Sequence, residues 1–307
     1  MKKLILTILI AIMLTPTAFA AHRNNSFKTV VKQPTQHLRV LDSEIRNTIK
    51  MQSEYTKKYD KEGLLSLYSD NYYNADGFDK TIYSDLIDKT WKMYPDIKYK
   101  TVIQKIDIVG NTAIVYVTEY AKATAKEKVN ENDVNGSLSS ESNCIYYLEK
   151  VGNKWLITSD SITNEKTVLT YGEANQIQMD LIVPQIVNAG KEYTATLSIK
   201  LNKPGMIAIA SIGQEKITYP QINAEEVFRK LPKDGMLERV FKANKNNFNE
   251  YTVASVGITR ANVAKNNEIK LMVTGLGYVI TRTNIIPTKD FSKVKQNDTK
   301  KTVSKLF

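Results

Sequence analysis

Histidine and cysteine are almost absent. The chain of 307 residues has two histidines, His22 and His37, and one cysteine, Cys144. A lone cysteine excludes an intrachain disulfide, and its strand-like setting (Asn143-Cys144-Ile145-Tyr146-Tyr147) reads as a small buried side chain. Both histidines precede the first patterned segment. A Ser-His-acid triad, a Cys-His pair and the usual zinc ligand sets are therefore excluded from the folded part. No metal or cofactor is expected. Glycine-rich phosphate loops are missing as well: Gly275-Leu276-Gly277 lacks a third glycine and a following helix. Apolar residues make up 42% and charged residues 24%. That composition excludes collagen-like, disordered and polytopic membrane chains, and the length suggests two domains.

Only one stretch is strongly apolar. Lys2 and Lys3 precede the uncharged run Leu4 to Leu14, and Ala18-Phe19-Ala20 follows as a small-x-small cleavage site. Residues 1–20 thus read as a secretory signal peptide, too short in its apolar part to span a bilayer. Residues 21–37 read as a flexible leader. The chain is expected to be exported, to the periplasm or the medium, and not to be an integral membrane protein after cleavage. Its net charge is +11, with six lysines in a basic flexible tail over 289–307. Export argues against nucleic acid as the partner, so this charge reads as a solvated surface with weak attraction to anionic envelope polymers. Glu131, Asp133, Asn135 and Gly136 imitate the start of a calcium loop. The twelfth position is Ser142 where a bidentate glutamate is needed, so a polar hairpin loop over 126–136 is the expectation.

The periodicity changes along the chain. Leu38, Leu41, Ile45, Ile49 and Tyr55 recur at helical spacing, with Gln52 as the one polar residue on that stripe. A short helical piece follows at Leu64 to Tyr68, then a turn at Asn74-Ala75-Asp76-Gly77. A second helix carries Ile82, Leu86, Ile87 and Trp91 and should stop at Tyr94, before Pro95. From Lys98 the period is two. Strands are expected over 98–109, 112–125, 139–151 and 154–162, with Gly110-Asn111 and Gly152-Asn153 as hairpin turns. Helices followed by an antiparallel meander give an α+β layer.

The ordered set Leu64-Leu65-Ser66-Leu67-Tyr68-Ser69-Asp70-Asn71-Tyr72-Tyr73, Gly110-Asn111 with Ala113-Ile114-Val115-Tyr116-Val117, and Val151-Gly152-Asn153-Lys154-Trp155-Leu156-Ile157 resembles the nuclear-transport-factor-2-like superfamily over residues 38–163. That superfamily includes SnoaL-like and ketosteroid-isomerase-like proteins. The resemblance implies an α+β cone of cystatin-like shape: helices packed on a curved antiparallel sheet, often with an apolar pocket at the open end. Its members include isomerases, cyclases, dehydratases and non-catalytic binding domains, so the fold alone does not choose a function.

Beyond Asn164 eight short strand-like runs follow, with one helical stretch expected at Ala224 to Leu231. Turn signals such as Asn188-Ala189-Gly190 and Lys233-Asp234-Gly235 separate many of the runs. They read as an all-β, immunoglobulin-like sandwich over 171–288, without the cysteine pair of antibody domains. The boundary is expected near Glu165 to Gly172, with two separable domains.

Elimination leaves carboxylates and phenols for chemistry. Glu119 and Asp160 are the candidate catalytic residues. Glu119 alternates with Val115, Val117, Ala121 and Ala123, which places it on an apolar face where burial would raise its pKa. Asp76 reads as a turn residue. Tyr72, Tyr73, Trp91, Tyr94, Tyr120 and Tyr146 are the candidate pocket residues. Three functions follow: an exported non-catalytic binding protein of the bacterial envelope, taking a small apolar ligand or a protein partner in the cone; an enzyme using a carboxylate and tyrosines on a hydrophobic substrate, as the resemblance implies; and a structural envelope or surface assembly protein. The signal-peptide reading predicts that the exported chain begins at Ala21. N-terminal sequencing checks this, and a chain keeping Met1 in the membrane fraction contradicts it.

Overall fold

The computed structural model describes residues 36–129, 132–201, 204–223, 225–263 and 269–287. The expected signal peptide, most of the leader and the basic tail lie outside these residues. Among the described residues no helix is long and apolar enough to cross a membrane.

Helix α1 spans Gln36–Lys58 and buries Leu41, Ile45 and Ile49 on the stripe seen in the sequence. Gln52, the polar residue on that stripe, is buried with them. Helix α2 (Lys61–Leu65) starts at Asp60, whose side chain accepts from the Gly63 amide. Helix α3 (Lys80–Met93) starts at Asp79, which caps the Ile82 amide, and ends one residue before Tyr94. These caps satisfy amides that the first helical turn leaves without partners.

Four strands follow: β1 (Lys98–Val109), β2 (Thr112–Val129), β3 (Asn132–Val151) and β4 (Lys154–Gly172), each antiparallel to the next. Register shifts interrupt the β1–β2 ladder between Ile103 and Lys105, and the β3–β4 ladder after Asn143 and after Tyr147. Such bulges bend strands, and the bent sheet wraps the helices. Leu41 and Ile45 of α1, Leu86 of α3, Val115 of β2 and Ile157 of β4 share one core. This is the expected cone of helices on a curved sheet. Two expectations fail here. Residues 126–129 and 132–136 are not a polar loop but the far ends of β2 and β3, because Ala123, Ala125 and Val129 continue a buried face along β2. Residues 165–172 are not a boundary but the second half of β4.

The C-terminal half adds β5 (Gln178–Ile182), β6 (Ile186–Asn188), β7 (Glu192–Lys200), β8 (Met206–Lys216), β9 (Arg229–Lys230), β10 (Met236–Lys242), β11 (Glu250–Val263) and β12 (Ile269–Ile286). The helix expected at 224–231 is absent from its described residues, which hold only the short strand β9. Several expected short strands merge, most clearly in β12. The order of the large sheet is β1-β2-β3-β4-β12-β11-β8-β9, with β6 pairing β12 in parallel. A second sheet, β10-β7-β5, packs face to face on its C-terminal part around Leu181, Leu197, Ile212 and Val256. The sheet therefore runs without a break from the cone into the sandwich-like half. The cone core itself includes Ile217, Tyr251 and Ile280 from that half.

The two halves are also tied by charge. The side chains of Arg282 on β12 and Asp76 in the α2–α3 connection are buried and joined by Arg282 Nη2 to Asp76 Oδ1 at 3.0 Å and Nη1 to Oδ2 at 3.2 Å. Asn249 Nδ2 donates to Asp76 Oδ1 at 2.6 Å, and Arg282 Nε donates to Asn284 at 2.7 Å. Asp76, expected to be a simple turn residue, is thus the acceptor at the junction. Removing one partner strands the other as a buried charge, at a cost of about 3–5 kcal/mol. Arg282→Met is therefore expected to lower the urea-unfolding free energy by about that much, and Arg282→Met with Asp76→Leu to recover most of it. A single variant within about 0.5 kcal/mol of the parent, the usual effect of a surface change, contradicts the assignment.

Candidate functional site

A cleft opens between α1, α3 and the concave face of β1 and β2. It encloses about 450 Å³ counting its mouth, and the space inside that the centre of a water-sized molecule can occupy is about 40 Å³. Gln52 and Thr56 of α1, Tyr83 and Ile87 of α3, Trp91 beside them, and Thr101 and Glu119 of the sheet line it. The deep part holds about three waters or the head of a slender ligand. The walls mix aliphatic and aromatic surface with a few inward polar groups, the usual composition of a small-molecule site.

Glu119 stands where the alternation along β2 places it. Val115, Val117 and Ala121 share its inward face and are buried. Its Oε1 accepts from the Tyr146 hydroxyl at 2.5 Å and from Thr101 at 3.4 Å, and Cys144 Sγ lies 3.8 Å from Oε2. Burial pushes its pKa up to about 7, against the pull of the hydrogen bonds from Tyr146, Thr101 and Cys144. Burial also raises the Cys144 thiol, with Glu119 adding to the shift, so the cysteine is a packed neighbour and not a nucleophile.

Behind Glu119 runs a buried chain of hydrogen bonds. Gln52 Nε2 donates to the Tyr146 hydroxyl at 3.1 Å and to the Tyr68 hydroxyl at 2.9 Å. Tyr68 and Tyr83 hydroxyls are 2.9 Å apart. Tyr68 also packs edge-on against Tyr72. The Tyr72 hydroxyl donates to Asp160 Oδ2 at 2.9 Å.

The structure separates the candidates. Glu119 and Trp91 line the cleft, and Tyr146 lies directly behind Glu119. Asp160 and Tyr72 form a buried pair deeper in the cone and do not line it. Tyr73 is exposed at 59%. Tyr94 is buried in a separate cluster with Ile97 and Leu138. Tyr120 follows Glu119 on β2, so it faces the other side of the sheet, with the Lys100 ammonium 5.8 Å from its ring centre. Gln52, Tyr83, Tyr99 and Thr101 are site residues that patterning missed. The one available signal was Gln52, a polar residue at a helix position reserved for the core.

Glu119 belongs to a longer polar row. Thr101, Glu119, Ser142 and Glu165 stand opposite one another on β1 to β4. Farther along the sheet, Arg282, Tyr251 and Glu215 are likewise in register on β12, β11 and β8. The Tyr251 hydroxyl donates to Glu165 Oε2 at 2.8 Å, which joins the two stretches. Burial raises Glu165 to about 7 despite the nearby Arg282 charge and the Tyr251 bond. Among the described residues no cluster of His, Cys, Asp and Glu could hold a metal ion.

No protein-family model and no curated protein matches the chain. Solved structures that it resembles include a conserved protein from Planctomyces limnophilus (17% identity, 40% of this chain and 94% of that one, TM-score 0.34). A hexachlorocyclohexane dehydrochlorinase from Novosphingobium barchaimii aligns at 11% identity over 41% of this chain and 86% of that one, with TM-score 0.32. A Streptomyces avermitilis protein, assigned as a dehydratase of the nuclear-transport-factor-2-like family, aligns at 12% identity over 40% and 96%, with TM-score 0.29.

The raised pKa values fix a pH dependence. A carboxyl whose folded-state pKa exceeds its ordinary 4.5 holds its proton more tightly folded than unfolded. Stability is then full below about pH 4.5 and falls as pH rises toward about 7, by on the order of 2–3 kcal/mol for each of Glu119 and Glu165. Glu119→Gln is expected to remove its share of this slope in urea titrations from pH 4 to 8. An unchanged slope contradicts the burial of its charge.

Proposed function

We propose that the cleft catalyses proton transfer on a small, mostly uncharged organic molecule, with Glu119 as the general base. The observation that carries this reading is a buried carboxyl, open to an apolar-walled cleft, whose pKa of about 7 keeps it half-ionised at neutral pH. A base poised near the working pH both accepts and returns a proton efficiently. In the step proposed, Glu119 takes a proton from a carbon next to a carbonyl, and the C–H electron pair moves into the carbonyl as an enolate. The same carboxylic acid then returns the proton to that carbon or to its conjugate position. Tyr146 holds the carboxyl in place, and Thr101 and Tyr83 give the wall hydroxyl groups near the growing negative charge. The chemistry needs no histidine, thiol or metal.

A second reading, ligand binding without turnover, draws support from the narrowness of the inner space. We further propose that the protein acts outside the cytoplasm, which the pattern of residues 1–20 supports. We also propose that the C-terminal half is an immunoglobulin-like sandwich fused edge to edge with the cone, which its two face-to-face sheets support.

Deuterium exchange next to the carbonyl of small ketones, followed by proton NMR in D2O, tests catalysis. The parent chain is expected to accelerate exchange for at least one ketone. Glu119→Gln is expected to lower that rate by about 10²–10⁴ without lowering the melting temperature. Equal rates in the two proteins contradict the role of Glu119, and saturable binding without exchange selects the binding reading.

A further inference from the structure

Within the cleft the bonding directions of the polar wall follow from one charge. With Glu119 ionised, Tyr146 must donate to it across 2.5 Å, so the Tyr146 oxygen accepts from its other neighbour. That neighbour is Gln52, which therefore presents its NH2 and not its carbonyl oxygen. The second hydrogen of the same NH2 goes to the Tyr68 oxygen. The Tyr68 and Tyr83 hydroxyls share a hydrogen bond at 2.9 Å in which either oxygen can donate. The Tyr146 phenol thus fixes which way the Gln52 amide faces.

The consequence is an unsatisfied acceptor. Gln52 is 94% buried (6% exposed) and lines the cleft, yet its Oε1 has no hydrogen-bond partner among the described residues. A buried carbonyl oxygen without a donor costs on the order of 1–3 kcal/mol, and a partner in the cleft would relieve that cost. Turning the amide over is not open, because it would set the carbonyl oxygen against the Tyr146 oxygen, whose proton is committed to Glu119.

We propose that Gln52 is the specificity-determining residue of this cleft, its Oε1 accepting from a hydroxyl or N–H group on an uncharged ligand. The proposal rests on the reading of the cleft as a ligand site. The ligand class is then a small molecule with a hydrogen-bond donor at the end that enters, and the donorless analogue of the same shape is rejected. Such rejection is steeper than discrimination by apolar fit, since the wrong ligand leaves the buried acceptor unpaired.

Fluorine NMR of the full chain at pH 8, with 4-fluorophenol and 4-fluoroanisole as probes, tests this. The phenol carries the donor and the ether does not. The phenol is expected to bind about tenfold more tightly, the equivalent of one hydrogen bond. Gln52→Met should lose that preference. Should Gln52→Met fail to fold, glutamine-selective 15N labelling of the parent gives the same answer. The Gln52 side-chain amide signals are expected to move with the phenol and not with the ether. Equal affinity for the two probes, binding of neither, or unmoved Gln52 signals overturn the proposal. A preference that survives in Gln52→Met gives the acceptor role to another group and overturns it too. Because these readouts measure binding alone, a donor preference kept in a chain that exchanges no ketone proton sinks the catalytic reading and leaves this one standing.

Discussion

The fully buried Arg282–Asp76 pair sets the frame for everything else in the molecule. A guanidinium in the interior needs its charge met and its donors filled, and the chain meets this from distant segments: Asp76 between the helices, Asn284 two residues along β12, and Asn249 supporting Asp76. Burial alone would pull the Arg282 pKa down; the Asp76 charge keeps it above its ordinary value. The pair can form only if the helical connection, β12 and the segment before β11 are all in place. It therefore couples the cone to the C-terminal strands, as does the unbroken ladder between β4 and β12. The hydrophobic contribution runs the same way, since Ile217, Tyr251 and Ile280 fill the cone core.

This coupling bears on the site. Among the described residues Arg282 is the cation beside Asp76 and Glu165, so two buried carboxyl groups share it, and Glu165 keeps a raised pKa as a result of its burial. Glu119, three strands away from Arg282 along the sheet order, has no ion pair among the described residues. Its hydrogen-bond partners among the described residues are neutral donors: a phenol, a hydroxyl and a thiol. Neutral donors orient a carboxylate without holding it ionised as a lysine would, and that leaves its pKa near neutrality. A base of this kind sits on strands and helices rather than on loops, so its position is set by the same packing that sets the fold.

How far the sequence foretold this depends on the kind of signal. Helices α1 and α3 and the first hairpin were legible because their apolar spacing and their Gly-Asn and Pro punctuation are local. Glu119 was legible for the same reason, as a charge inside an apolar alternation. The boundary near 165–172 was not. The change of texture there is real, but it marks β4 leaving the helices and joining β12, and strand pairing across 100 residues writes nothing local into either strand. Asp76 illustrates the same gap: an Asp before Gly77 looks like any turn, and its partner lies 206 positions away. Tyr94 and Tyr120 were plausible pocket residues by type alone, while the choice between facing the cleft and facing away depends on strand register and on where α3 ends. Gln52 carried the most under-used signal, since a polar residue on a core stripe must find buried partners or remain a liability.

The account turns on Glu119 being a carboxyl that titrates near neutrality inside the cleft. A carbon-13 NMR titration of side-chain carboxyl signals, with Glu119 assigned by its loss in Glu119→Gln, measures this directly. The account predicts a midpoint near pH 7 for that signal. A midpoint at or below the ordinary 4.5 would mean a solvated or cation-paired carboxylate, and would contradict the description of the site.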